Sequence, residues 1–309
     1  MFNIKQFIFT KDITFLDIAN SWLTSNYNSV KESTYFDYKY AIKKYFYPEL
    51  KDKSIKQLLK YDFNILINNL NNLDKTSIKK IVTILKSILK YAERKYDVDF
   101  KLDLIKVIDK ETKEIKIFTT REKKKLVNHC YNSDILKEIG ILVCLYTGLR
   151  IGELCALKWK DIDLNKDILT VNHTLQRVST DKGTKILFGP PKTRSSLRQI
   201  PINKTLHNIL YRIYVLNNYN KNSFFLTGST TKFIEPRNYQ YTFKVLLEKL
   251  KIPYHNFHIL RHTFATDCIN INMDVKTLSR ILGHSNVNIT LNKYVHPSFK
   301  KAKVYLEKI

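Results

Sequence analysis

Residues 147–159, TGLRIGELCALKW, mark the point where the chain changes character. An apolar pattern of helical period runs from Ile135 to Tyr146, and Gly148 breaks it. A second helix is predicted directly after the glycine. Ile151, Leu154 and Leu157 recur every third residue and should face a core. Arg150 and Glu153 are also three apart, share another face and can pair. Taken alone, such a pair reads equally as a surface ion pair worth under ~1 kcal/mol. Beyond Trp159 the period shortens. Ile168–Thr174, Lys185–Phe188 and Leu197–Ile202 read as strands, with the turn-forming GPPKTRSS between the last two. The stretch therefore joins a helical layer to a small antiparallel sheet, which predicts a mainly α fold with an inserted sheet, an α+β architecture.

The same reading extends outward in both directions. Thr119 and Glu122 have the spacing of a capping box, so a helix should open there. From about Val98 to Ile117 the pattern weakens into alternating charges, and residues 101–116 are expected to form a linker. Residues 1–100 carry four amphipathic stripes: Phe15, Ile18, Ala19, Trp22; Tyr38, Ala41, Ile42, Tyr45; Ile65, Leu66, Leu70; and Ile78, Ile81, Val82, Ile84, Leu85, Ile88, Leu89, Ala92. These predict a small helical bundle. Residues 117–309 form the second domain. Further helices are expected at Leu206–Leu216, Tyr239–Leu250, Phe257–Ile269 and Val275–Leu282, with another short helix ending near Tyr294 and a basic tail from Ser298 to Ile309.

Composition limits the partners. The 309 residues hold 53 lysines and arginines against 28 acidic side chains, a formal net charge of +25. A surface of this kind attracts polyanions, and nucleic-acid backbones fit best. No apolar run approaches the ~20 residues of a membrane span, and no secretory signal pattern opens the chain. Cys130, Cys144, Cys155 and Cys268 have no metal-ligand spacing and read as reduced thiols, as in a cytoplasmic protein. There is no compact carboxylate cluster suited to a metal pair, so no metal or other cofactor is expected.

Three further sites draw notice. Lys192 sits where a hairpin tip is expected, and a turn lysine is by itself most simply a solvated one. In HILRHTFAT, His258 and Arg261 share a helix face at i, i+3 while Leu260 and Phe264 share another; Asn256 is the expected cap. Near the C-terminus, LGHSNVNITLNKYVH (282–296) puts Gly283 at a helix end and His284 immediately after it. Ser285 is expected to cap a short helix anchored by Val287 and Leu291, with Tyr294 at its end.

Together, TGLRIGEL, PPKTRSSLRQIPI, HxxRHTFAT and LGHSxxxxTxxxY resemble the tyrosine recombinase (phage integrase) family, in the family's order and at its approximate spacings. The resemblance covers residues 115–296 strongly and about 12–96 more weakly. It implies a helical core-site DNA-binding domain followed by a catalytic domain. It further implies that Arg150, Lys192, His258, Arg261 and His284 surround a scissile phosphate while Tyr294 attacks it. In that scheme Lys192 is the general acid for the 5′ oxygen, His258 the base for Tyr294, His284 a donor to a non-bridging oxygen, and Glu153 a supporting residue. A free tyrosine, with pKa ~10, is only about 0.1% phenolate at neutral pH. The cations are expected to lower that pKa.

The activity implied is site-specific cleavage and rejoining of double-stranded DNA through a 3′-phosphotyrosyl bond, without ATP, by a tetramer on two recombination sites. An integrase of a phage or mobile element, without a separate arm-binding domain, is the leading reading. A chromosome-dimer resolvase, a type IB topoisomerase and a non-catalytic DNA-binding regulator are the alternatives. The basic tail is expected to fold back on its own domain or to dock on a neighbouring protomer.

Overall fold

A computed structural model describes residues 12–106, 115–180, 183–191 and 193–295, together with 303, 306 and 307. Lys192, the expected general acid, and almost all of the tail from Ser298 lie outside the described residues. The chain divides into two compact units, and each has a hydrophobic core of its own.

In the first unit, α1 (Phe15–Asn26) starts at a capping box between Thr14 and Asp17. It buries Phe15, Ile18, Ala19, Trp22 and Leu23. Helix α2 (Glu32–Ala41) continues through a π-helical turn, Ile42–Phe46, into the short α3 (Tyr47–Leu50). Two more short helices follow, α4 (Ile55–Leu59) behind an Ser54–Gln57 capping box and α5 (Phe63–Asn68) behind Asp62. Helices α3 and α4, of four and five residues, are too short to show a stripe in the sequence, whereas the stripe at Ile65, Leu66 and Leu70 begins in α5. The longest element is α6 (Lys75–Tyr96). All eight residues of its stripe, Ile78 to Ala92, are buried, and its lysines and Arg94 lie off that line.

In the second unit, α7 (Thr120–Tyr131) opens at the Thr119–Glu122 capping box. Helix α8 (Leu136–Thr147) is buried on nearly all sides and forms the axis of the core. Helix α9 (Ile151–Ala156) leads through a 3₁₀ turn into β1 (Ile162–Asp163). The strand run expected at 168–174 breaks at Asn172-His173 into β2 (Ile168–Val171) and β3 (Thr174–Thr180), followed by β4 (Gly183–Gly189) and β5 (Arg198–Pro201). Among the described residues there are two sheets rather than one. The order β1-β2-β5 is antiparallel, with Leu169 opposite Ile200, and β3-β4 is a separate ribbon. Pro191 and Thr193, which flank Lys192, lie on the crossover from β4 to β5. Strands β4 and β5 belong to different sheets.

Helices α10 (Lys204–Asn217) and α11 (Pro236–Lys249) complete the core around α8. The last three helices carry most of the site: α12 (Ile259–Asn270), α13 (Val275–Leu282) and α14 (Val287–Tyr294). Two expected caps are corrected. His258, not Asn256, is the N-cap of α12, and it makes no side-chain capping bond. Asn286, not Ser285, caps α14 by accepting from the Asn288 amide. Helix α14 is also anchored differently from the expectation. Thr290 and Tyr294 are the buried pair at i, i+4, while Leu291 is 37% exposed.

Candidate active site

Two helix ends create the site. Helices α8 and α13 both terminate in a left-handed glycine, Gly148 at φ 67° and Gly283 at φ 65°. Only glycine adopts this conformation without strain, and it turns the chain sharply while leaving terminal carbonyls without helical partners. Those carbonyls carry the negative end of the helix dipole and suit cationic donors. Two arginines take them. Arg261, on α12, donates from Nη1 to Gly148 O at 2.8 Å and from Nη2 to Leu282 O at 2.8 Å. Arg150, at the N-cap of α9, donates from Nη2 to Gly283 O at 3.1 Å. The two glycine turns and the two arginines are thus one structural device.

Arg261 is 2% exposed, whereas the Arg150 side chain is 34% exposed. Burial, with Arg150 close by, pushes Arg261 down to about 9, so it stays charged at neutral pH. Glu153 balances this charge from beneath. Its carboxylate accepts from the Arg150 backbone amide at 2.9 Å and from Arg150 Nη1 at 2.8 Å. It also accepts from both terminal nitrogens of Arg198 on β5, at 3.1 and 2.9 Å. Burial opposes ionisation of Glu153, but the hydrogen bonds and charges of Arg198, together with Arg150, hold its pKa below the ordinary carboxylate value. Side-chain exposures of 3% for Glu153 and 5% for Arg198 make this a buried ion pair rather than a surface one.

The two histidines that border the arginines have assignable protons. His284 Nε2 lies 2.9 Å from Arg261 Nη2, and guanidinium nitrogens only donate. Nε2 therefore accepts, and the ring proton sits on Nδ1, which donates to Thr290 Oγ1 at 2.8 Å. Burial, then Arg261, lowers the His284 pKa to about 3, so the ring is neutral. His262 Nδ1 lies 2.7 Å from the Tyr294 hydroxyl. Burial, then Lys293 and Arg261, lowers His262 to about 4. The net shift in the Tyr294 pKa is upward, although the arginines act in the expected direction. Burial raises it more than Arg261 and Arg150 lower it. The phenol therefore donates and His262 Nδ1 accepts. Tyr294 is 7% exposed.

A family model described as the phage integrase family matches residues 116–301. The chain belongs to that family. A second model, for the family's N-terminal SAM-like domain, matches residues 14–71. A tyrosine recombinase XerC-like protein of Caldanaerobacter subterraneus subsp. tengcongensis is 31% identical, over 93% of this chain and 80% of its own length. The integrase of Staphylococcus phage L54a is 26% identical over 97% of this chain and 93% of its own. Among solved structures, the Tn1549 transposon integrase (residues 82–397) in complex with circular intermediate DNA superposes with a TM-score of 0.78 at 26% identity, covering 96% of this chain and 99% of that one. The chain is accordingly a tyrosine recombinase, an enzyme that cleaves and rejoins DNA strands.

Within the recombinase, Arg150, held by Glu153, and Arg261, bonded to His284, converge on the adjacent carbonyls of Gly283 and Leu282. Tyr294 feels the charge of Arg261 and Arg150. His258 stands at the start of α12 with its ring 4.9 Å from that of His262, edge to face, while the bond to the Tyr294 hydroxyl is made by His262. Three residues of this site stand within the quoted motifs, but the sequence assigns them no role. Arg198 left a trace, because it shares the inward face of β5 with buried Ile200, where a charge implies a buried partner. Thr290 is one helical turn before Tyr294, and its burial was masked by the more apolar Val287 and Leu291. His262 is adjacent to Arg261 and one turn after His258, and nothing in the sequence ranks one histidine over the other.

Proposed function

We propose that this chain is the integrase of a mobile DNA element, joining and separating the element and its host by exchange of strands at two recombination sites. The alignment with the phage L54a and Tn1549 integrases over nearly the whole chain supports this choice. The chemistry rests on one arrangement: a buried tyrosine hydroxyl, bonded to His262, in the electrostatic field of two arginines that are fixed by helix ends.

In the proposed reaction the scissile phosphate enters beside Arg150 and Arg261. Their guanidinium groups bind its non-bridging oxygens and stabilise the five-coordinate transition state. Glu153 and Arg198 fix the pocket from behind. Tyr294 attacks phosphorus, and Lys192 protonates the departing 5′ oxygen. The product is a 3′-phosphotyrosyl bond and a free 5′ hydroxyl. One phosphodiester is exchanged for another of similar energy, so rejoining needs no ATP. Two duplexes exchange four strands, and each chain carries one Tyr294, which argues for a tetramer on two sites.

A second reading, resolution of chromosome dimers, is favoured by the similarity to the XerC-like protein. Mapping the cleavage positions on DNA bound by the protein separates the two, because an integrase cuts at the ends of an element. The chemistry is tested on a nicked duplex built on the mapped position, which traps the covalent intermediate. Tyr294→Phe should bind this duplex normally and form no adduct. An adduct with the Phe variant would assign the nucleophile elsewhere.

A further inference from the structure

We propose that His262 is a catalytic residue, the group that takes the proton from Tyr294 as its oxygen attacks phosphorus. The inference rests on the recombinase reading and adds a residue and a proton path to it.

The geometry is specific. His262 Nδ1 is 2.7 Å from the Tyr294 hydroxyl, within the reach a general base needs. The other basic groups nearby are engaged or charged. Glu153 is taken by Arg150 and Arg198. His284 uses Nε2 toward Arg261 and Nδ1 toward Thr290. His258 packs edge to face against the His262 ring and makes no described bond to the hydroxyl. His262 faces His258 and Arg261 from its own helix, and Tyr294 and Lys293 from α14. These cations, with burial, keep its lone pair free at neutral pH. The same burial keeps the phenol protonated, so attack requires an acceptor.

The step balances. The Tyr294 Oη–P bond forms as the P–O5′ bond breaks. The phenol proton passes to His262 Nδ1, giving an imidazolium, and the 5′ oxygen leaves as a hydroxyl with the proton proposed to come from Lys192. On rejoining, the 5′ hydroxyl attacks, the Oη–P bond breaks, and the imidazolium returns its proton to Oη.

The test uses the full chain and the nicked duplex on the mapped site. His262→Asn puts an amide oxygen near the position of Nδ1, so it can hold the hydroxyl but cannot take a proton. Adduct formation at pH 7 should fall by roughly 10²–10⁴-fold, the usual contribution of a general base. The defect should shrink as pH rises toward 9.5, because the minor phenolate fraction, which needs no base, grows about tenfold per pH unit. A defect that stays constant with pH, or activity within about threefold of wild type, would overturn the proposal in favour of a packing role. If His262→Asn proves unfolded by thermal melt, His262→Ala assayed with added imidazole decides. Concentration-dependent restoration supports the proton path, and none at any pH rejects it. Absence of an adduct with the wild-type protein would instead reject the recombinase reading itself.

Discussion

At the scale of single residues, the site is a set of neutral groups wedged among fixed cations. His262 and His284 are half-buried, with pKa values lowered to about 4 and about 3, chiefly by burial and then by neighbouring positive charge. In the unfolded chain both titrate near ~6.5. Between those values the unfolded state binds more protons than the folded one, so stability falls as pH drops from about 6.5 toward 4. Each ring contributes a slope of at most about 1.4 kcal/mol per pH unit, reduced by partial exposure. Thermal melts from pH 7.5 to 4.5 should therefore decline for the wild type, and less steeply for His262→Asn. Parallel curves would mean that His262 is not held neutral in the fold.

At the scale of elements, Arg198 ties β5 to two helices. It meets Glu153 of α9 with both terminal nitrogens, and its Nε donates to Ile281 O near the end of α13. Strand β5, the Arg150 cap and the Gly283 turn are thereby held in one frame. Removing one member of a buried pair leaves a desolvated charge, typically a loss of 3–5 kcal/mol. Glu153 keeps Arg150, so Arg198→Met is expected to lose about 3 kcal/mol, read as a lower denaturation midpoint. Adding Glu153→Gln should recover part of that loss, since a buried carboxylate left with Arg150 alone becomes a neutral amide whose oxygen can still accept from Arg150. A double variant no more stable than Arg198→Met alone would argue that the contact with Ile281, not the ion pair, is what matters. The Gly283 turn has little room to change. A Cβ there would lie 3.0 Å from both Arg198 Nη1 and Ser195 O, and φ is already left-handed.

At the scale of the whole molecule, the net charge of +25 frames the interaction with DNA. If six to ten phosphates are neutralised, affinity should fall by roughly 10³–10⁵ between 50 and 200 mM salt. Titration of a labelled duplex across that range measures the slope, and a nearly flat response would show that surface charge contributes little to binding. Much of the architecture that carries this charge was legible beforehand. The Ile78–Ala92 stripe of α6, the Thr119 capping box and the Gly148 and Gly283 breaks are all local signals, and the structure has each of them. The strands were read less well, because Ile168–Thr174 looks continuous until Asn172-His173 sends its two halves into different sheets.

The sequence by itself determined the class of fold and the residue types of the site, since burial periodicity, caps and turn glycines act over a few neighbouring residues. Pairing was decided only in three dimensions. Arg261 meets Gly148 across 113 residues, Arg150 meets Gly283 across 133, Arg198 meets Glu153 across 45, and Tyr294 meets His262 rather than His258 across 32. Local spacing puts two histidines one turn apart on the same helix and cannot rank them. The packing of α14 against α12 brings one ring nitrogen, and not the other, within hydrogen-bonding distance of the tyrosine hydroxyl.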